Sequence, residues 1–302
     1  MARFNGTEGT DFFFGTEEDD FIIGKGGDDD LHGAGGNDIV LGGEGNDILS
    51  GGEGNDFVSG GAGNDNLGWI AGDDVLLGGD GDDHLGVWAI EGADDVFLSG
   101  GDGTDSLDVV GTGPVTINLE EGFMTTTTNQ GAAVSIDLQS IEDVNVFSDD
   151  SAHVTGSSAD NFIFTTNGDD TLNGREGNDF LFAGPGEDWY VFDAAPGEAN
   201  ADRIIIENYR AEVDGFDERD TIALDNDVMA ALGAEGDFSE DDERFYAAAG
   251  ATGGAEEDDR VIYDSEAGRL YYDADGSGTG EAQLIATVGI YGDLVASDFT
   301  VI

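Results

Sequence analysis

Aspartate recurs every nine residues near the start of this chain, at Asp11, Asp20, Asp29, Asp38, Asp47, Asp56, Asp65, Asp74 and Asp83. Carboxylates at a fixed period suit the ligation of a hard cation, because such ions take oxygen donors and a periodic chain delivers them in rows. The surrounding residues are equally ordered. From Gly6 the sequence divides into GTEGTDFFF, GTEEDDFII, GKGGDDDLH, GAGGNDIVL, GGEGNDILS, GGEGNDFVS, GGAGNDNLG, WIAGDDVLL and GGDGDDHLG. The sixth place is always Asp, and the eighth is always apolar, from Phe13 through Ile22 and Leu49 to Leu85. Asp in glycine-rich turns is ordinarily a solvated turn residue. Isolated Asp-Gly turns, however, do not recur every nine residues with an apolar residue two places later.

The elements that must position these carboxylates follow from the rest of the unit. Glycines at the first and fourth places permit positive φ, so the first six residues read as a tight turn. The last three alternate like a short strand, with the eighth side chain inward and the seventh and ninth outward. One unit cannot bury its single apolar residue, whereas stacked units form a continuous core and a hydrogen-bonded ladder. Stacking brings the carboxylates into rows about 4.8 Å apart. Such rows are tenable with hard cations between them, and Ca²⁺ accepts six to eight oxygens, backbone carbonyls included, more readily than Mg²⁺ does.

GGEGNDILS and GGEGNDFVS resemble the RTX nonapeptide G-G-x-G-x-D-x-U-x. The resemblance implies an all-β fold, a right-handed parallel β-roll (a β-solenoid) in which two nonapeptides make one coil. It also implies Ca²⁺ in the turns, held by sixth-place Asp and glycine carbonyls of turns two repeats apart. The pattern then loosens after an insertion near Val87 to Ile90, with Asp95 and Asp105 placed as ligands in EGADDVFLS and GGDGTDSLD. A second block from Gly156 reads GSSADNFIF, TTNGDDTLN, GREGNDFLF and AGPGEDWYV, with Asp170, Asp179 and Asp188 at the sixth place and Asn161 in the first member. Trp69 and Ile70 replace paired glycines and Glu18 replaces a fourth-place glycine, marking places of weaker ligation.

Comparing alternate repeats separates the two walls. One shows Phe21, Ile39, Phe57 and Val75 at the seventh place, with Ile23, Leu41, Ser59 and Leu77 at the ninth; the other shows Phe12, Asp30, Ile48, Asn66 and His84. The first is apolar enough to predict a cover, from other segments of the chain or from self-assembly or a partner. In the second block Phe162, Phe164, Phe180 and Phe182 share one wall, and Thr171 and Asn173 the other.

The expected organisation is a first roll over 1–108, a strand-rich connector over 109–155, a second roll over 156–193 and a C-terminal β-rich cap over 194–302. Runs such as VTINL, VSIDL and VNVF predict connector strands, and RIIIEN, DTIAL, RVIYD, RLYYD and AQLIATV predict cap strands. YYDADGSGTGEAQLIATV and the ending SDFTVI resemble the C-terminal region of RTX proteins exported by type I ABC systems. Asp273 and Asp275, with Ser277 and Gly278, echo the start of an EF-hand loop, although Leu284 stands where the bidentate Glu belongs. An isolated calcium site and an ordinary turn both fit that segment.

Composition narrows the function. The chain has 68 Asp plus Glu against 9 Lys plus Arg, a formal charge of −59, so a compact state needs counter-ions. Nucleic-acid binding is excluded by that balance, with Lys25 the only lysine, and an anionic membrane surface is equally unsuitable. No run of roughly 18 apolar residues predicts a membrane span, no Sec-type leader is expected, and without cysteine there are no disulfides. His32, His84 and His153 lie far apart in the sequence, and no H-E-x-x-H, G-x-S-x-G or P-loop occurs. The expectation is a non-catalytic, secreted calcium-binding structural protein, extracellular or at a cell surface, that folds on Ca²⁺ and assembles into a layer, matrix or filament. A secreted enzyme with an unrecognised site and a carbohydrate- or partner-binding module are the competing classes.

Overall fold

Places seven to nine of each nonapeptide form strands whose partners lie one coil, or two repeats, away. In the computed structural model, which describes residues 1–69, 71–88, 96–111, 113–127, 133–206, 219–290 and 294–302, Phe21 pairs with Ile39, Ile39 with Phe57 and Phe57 with Val75, all in parallel register. The alternate repeats build the facing sheet by the same rule, with Phe12 against Asp30, Asp30 against Ile48 and Ile48 against Asn66. Strands of the inner coils run on into the following turn, as in Ile39–Glu44 and Ile48–Glu53. Two compact units result, Met1–Asp150 and Ser151–Ile302.

Within the first unit the core is a double column of eighth-place side chains. Ile22, Val40, Val58 and Leu76 come from one sheet and Leu31, Leu49, Leu67 and Leu85 from the other, none more than 1% exposed. Each such burial contributes about 1.5–3 kcal/mol, and the column keeps the turns in register. The spacing between coils widens to 22 residues at Asp83 and Asp105, yet Val75 still pairs with Phe97 and His84 with Ser106. The roll then continues without nonapeptides. Ala133–Gln139 pairs parallel with Val96–Asp102, and Asp143–Phe147 with Ser106–Val110. Val115–Asn118 and Phe123–Thr127 form an antiparallel extension of the first of these sheets.

The second unit repeats the arrangement and closes it. Ala152–Thr155, Thr171–Asn173, Trp189–Phe192, Thr221–Leu224 and Phe299–Val301 stack parallel in one sheet. Phe162–Thr165, Phe180–Phe182, Asp202–Ile206 and Gln283–Ile290 stack in the other. Antiparallel pairing of Gln283–Ile290 with Arg269–Tyr272, and of Arg269–Tyr272 with Val261–Asp264, makes the C-terminal strand cluster. Tyr190 is fully buried, and its hydroxyl donates to the carbonyl of Ile205 at 2.6 Å, so the core gains a cross-sheet bond as well as apolar area.

Candidate metal centres

Each sixth-place carboxylate uses its two oxygens differently. Oδ1 accepts the backbone N–H of the sixth-place residue one coil earlier. On one edge Asp11 donates to Asp29 at 2.7 Å, Asp29 to Asp47 at 2.8 Å, Asp47 to Asp65 at 2.7 Å, Asp65 to Asp83 at 2.8 Å and Asp83 to Asp105 at 2.8 Å. On the other edge Asp20 donates to Asp38, Asp38 to Asp56 and Asp56 to Asp74, at 2.6 to 2.7 Å. In the second unit Asn161 donates to Asp179 and Asp170 to Asp188, both at 2.8 Å. The short Asp side chain, leaving the turn beside the strand, is what reaches the neighbouring coil.

Oδ2 faces the other way. In Asp29, Asp38, Asp47, Asp56, Asp65, Asp83, Asp105, Asp179 and Asp188 this atom is buried and has no hydrogen-bond donor. In all of these but Asp188, whose repeat opens with Ala183, its place is shaped by the first glycine of its own repeat. A Cβ on Gly24 would collide with Oδ2 of Asp29 and meet the carbonyl of Gly42; Gly33, Gly42, Gly60 and Gly78 show the same pair of oxygens, one side chain and one backbone. An ionised oxygen buried without a donor costs several kcal/mol, and its neighbours along the row add repulsion. A hard cation drawing on carboxylate and carbonyl oxygens removes both costs, and Ca²⁺ fits that donor set. Among the described residues no three His, Cys, Asp or Glu side chains converge on one point. The donors are distributed instead, one carboxylate per turn together with backbone carbonyls.

Electrostatics record the same strain. Burial pushes the carboxyls of Asp56 and Asp83 up to about 6 and Asp65 to about 7, against the N–H bond each accepts. Burial also raises Asp29, Asp38, Asp47 and Asp105, and carries Asp170 to about 6 and Asp188 to about 8. Burial raises Asp179 and Asp202 too, with the nearby Asp179 charge adding to the rise at Asp202. Asp20 differs: burial raises it, but bonds from Ala2 and Thr16 outweigh burial and leave it below the ordinary range.

A second ladder, not anticipated from the sequence, runs beside the first in the opposite direction. At the fifth place, Asn55 N–H donates back to Oδ1 of Asn37 at 3.0 Å and Asn64 N–H to Asn46 at 2.8 Å. Asn37 and Asn46 donate likewise to Asp19 and Asp28, and Asp82 to Asn64. Each turn is thus tied forward through one side chain and backward through the next.

The ladder also reaches residues outside any nonapeptide. Asp105 N–H donates to Glu142 Oε2 at 2.9 Å, Asp179 N–H to Asp202 Oδ1 at 3.2 Å and Asp188 N–H to Asp220 Oδ1 at 3.3 Å. Their separations of 37, 23 and 32 residues carry no nine-residue signal. Asp74 is buried in the ladder, whereas Asp95 lies outside the described residues. Asp273 and Asp275 are elsewhere, in the C-terminal strand cluster. Asp273 Oδ2 accepts from Gly254 N–H at 2.9 Å and its Oδ1 from Asp275 N–H at 3.2 Å, while Asp275 Oδ2 accepts from Gly280 N–H at 3.0 Å.

Outward side chains follow the expected columns, but among the described residues no segment buries Ile39 or Phe57 as the expected intramolecular cover would. Ile39 and Phe57 remain 39% and 37% exposed, and Phe21 is half-buried beneath the Arg3 guanidinium. The alternate wall also exposes apolar side chains, Phe12 at 65% and Ile48 at 53%, on either side of Asp30. Further along it His84 lies 3.0 Å from Asp108 and 2.8 Å from Ser106. In the second unit Phe162 stacks on Phe180 and Phe164 on Phe182, at 5.0 and 5.2 Å.

Among known families, residues 5–40, 32–67, 71–86 and 155–190 match the RTX calcium-binding nonapeptide repeat. No curated protein matches the chain. The chain carries RTX calcium-binding repeats in a parallel β-roll.

Proposed function

We propose that this chain is a secreted structural protein whose folding is driven by Ca²⁺. The observation that carries the reading is the row of buried, donorless Oδ2 atoms, set against a first-place glycine in every case but Asp188, whose repeat opens with Ala183. Asp29, Asp38, Asp47, Asp56, Asp65, Asp83, Asp105, Asp179 and Asp188 are the side chains that would hold the ions, and Ca²⁺ would supply the charge that the stack lacks. Binding free energy then becomes folding free energy, because the unfolded chain presents no assembled site. At low calcium a chain of formal charge −59 stays expanded.

That switch suits passage through a type I ABC exporter and folding outside the cell. Phe299–Val301 is a buried strand of the second unit, so the export-type tail is readable before folding and concealed after it. The exposed Ile39 and Phe57 wall supports self-assembly of the calcium-loaded chain into a layer, matrix or filament. Circular dichroism and sizing in millimolar Ca²⁺, then in chelator, test the switch: compact β structure should form with calcium and be lost on chelation. A compact β signal unchanged by chelation would falsify it. Sedimentation of the Ile39→Glu, Phe57→Glu double variant tests assembly, which should be lost while the calcium-dependent β signal is retained.

A further inference from the structure

The leading repeats of each block satisfy their sixth-place side chains without a metal. Oδ2 of Asp11 accepts Thr7 N–H at 2.5 Å and the Thr7 hydroxyl at 3.0 Å. Asp20 Oδ2 accepts Thr16 N–H at 2.7 Å and its hydroxyl at 3.0 Å. In the second block Asn161 Oδ1 accepts Ser157 N–H at 2.7 Å, and Asp170 Oδ2 accepts the Thr165 hydroxyl at 2.5 Å. These are the repeats with Thr or Ser at the first or second place. Where the opening pair is Gly-Gly, Gly-Lys or Gly-Ala, as before Asp47, Asp29 and Asp38, Oδ2 has no donor.

Backbone geometry marks the same boundary independently. The described second-place residues beyond the leading repeats have positive φ, and a Cβ on Gly43 or Gly52 would run into the carbonyl of Lys25 or Ala34 one coil below. Lys25, Ala34 and Arg175 nevertheless hold φ of 90°, 86° and 75° with side chains. They stand one coil above Thr7, Thr16 and Ser157. The turns at Thr7, Thr16 and Ser157 therefore leave room above them, whereas a Cβ on Gly184 would strike the Thr166 carbonyl, so at the Asp170 repeat the Thr165 hydroxyl bond alone marks the boundary. Lys25 uses that room to place its ammonium 2.6 Å from the carbonyl of Gly6, a first-place carbonyl.

At the far end the relation is reversed. Asp105, Asp179 and Asp188 are no more than 1% exposed, each with a donorless Oδ2, and each donates its N–H to an acidic residue beyond the repeats. A Cβ on Gly100 would strike Oδ2 of Asp105 and the carbonyl of Ser140. Ser140, in left-handed conformation with φ 49°, thus supplies the carbonyl that a first-place glycine supplies elsewhere. Asp202 and Asp220 are themselves buried.

We propose that the calcium row is displaced by one coil from the repeat array: Asp11, Asp20, Asn161 and Asp170 belong to metal-free caps, and Glu142, Asp202 and Asp220 complete terminal calcium sites with Asp105, Asp179 and Asp188. This rests on the calcium reading above and assigns ligands that no nonapeptide contains.

The test is the position and number of ions on the full chain. Crystals grown with Tb³⁺ in place of Ca²⁺ should show anomalous peaks beside Asp105, Asp179 and Asp188 and none beside Asp11, Asp20 or Asp170. Native mass spectrometry in Ca²⁺ should give the Asp11→Asn, Asp20→Asn double variant the parental number of ions, and Asp202→Asn and Asp220→Asn the loss of an ion each. Peaks at Asp11 or Asp20, or none at the three terminal places while inner sites are filled, would overturn the displacement. Should Asp202→Asn fail to fold, the peak positions in the unaltered chain still decide. A chain that takes no ion anywhere defeats the calcium reading itself.

Discussion

The backbone N–H of Asp47 donates to Oδ1 of Asp65 at 2.7 Å, while the other oxygen of Asp65 is buried without a donor. One carboxylate therefore serves two purposes that substitution separates. Asp65→Asn keeps an acceptor for Asp47 and presents an amide to the Gly78 carbonyl, which shares the Gly60 cradle. Without calcium it should stabilise the chain by about 1–2 kcal/mol, by removing a buried charge; with calcium it should raise the Ca²⁺ midpoint. Asp65→Ala also strands the Asp47 N–H and should cost about 1–3 kcal/mol in calcium. Melts of both variants in Ca²⁺ and in chelator check this, and an Asn variant weakened equally in the two conditions contradicts it.

Acid should partly replace calcium. Burial holds Asp56 and Asp83 at about 6, Asp65 at about 7 and Asp188 at about 8, all above the unfolded value of about 4. A folded pKa above the unfolded one gives stability that is fully present below about 4 and lost as pH rises through the folded value. The metal-free chain should therefore gain β structure as pH falls from about 8 to about 5, and Ca²⁺ affinity should weaken over the same window as protons compete for the ligands. Circular dichroism and calcium titration across that range are the measurements. Equal expansion of the metal-free chain at both ends of it contradicts the assignment.

Much of this architecture is legible in the residues, and the exceptions share a cause. Asp29 or Leu49 is recognisable because place in the repeat dictates place in the coil. Glu142, Asp202 and Asp220 take the same rung after intervening segments of different length, so only the fold brings them to it. Position-five residues such as Asn46 and Asn55 are visible as a column, but their hydrogen bonds depend on which way a turn side chain leans. The wall of Phe21, Ile39 and Phe57 is likewise plain in composition, whereas its exposure depends on packing between segments with no common period.

Glycine at the second place is a steric requirement with a stated exception. Gly52 has φ 110°, and a Cβ there would collide with the Ala34 carbonyl below; Ala34 itself has φ 86° over the differently folded Thr16 turn. Gly52→Ala should destabilise the calcium-loaded chain by about 2–4 kcal/mol, combining left-handed strain with the clash. Ala34→Gly should change it by less than about 1 kcal/mol, since relief of strain opposes the added entropy of the unfolded chain. Thermal melts in saturating Ca²⁺ compare them, and equal effects would remove the distinction between leading and inner turns.

Fifth-place residues moderate the charge of the turn beside the carboxylate row. Along one edge they read Asp19, Asn37, Asn55 and Asp73, and along the other Asp28, Asn46, Asn64 and Asp82, so the neutral amides occupy the middle of the stack. Asn46 Oδ1 accepts the Asn64 N–H at 2.8 Å, an acceptor that Asp would retain. What Asp would add is a negative charge next to Asp47, whose own Oδ2 is donorless. Asn46→Asp should therefore cost up to about 1 kcal/mol in the metal-free chain at low ionic strength, because the site is exposed and its charge is screened by salt. In saturating Ca²⁺ the cost should shrink, since the added carboxylate then lies near a cation. Denaturation at low and high salt, with and without calcium, separates this from a packing effect: a loss independent of both salt and calcium would mean that Asn46 acts through shape, and that the amides in the middle of the stack have no electrostatic role.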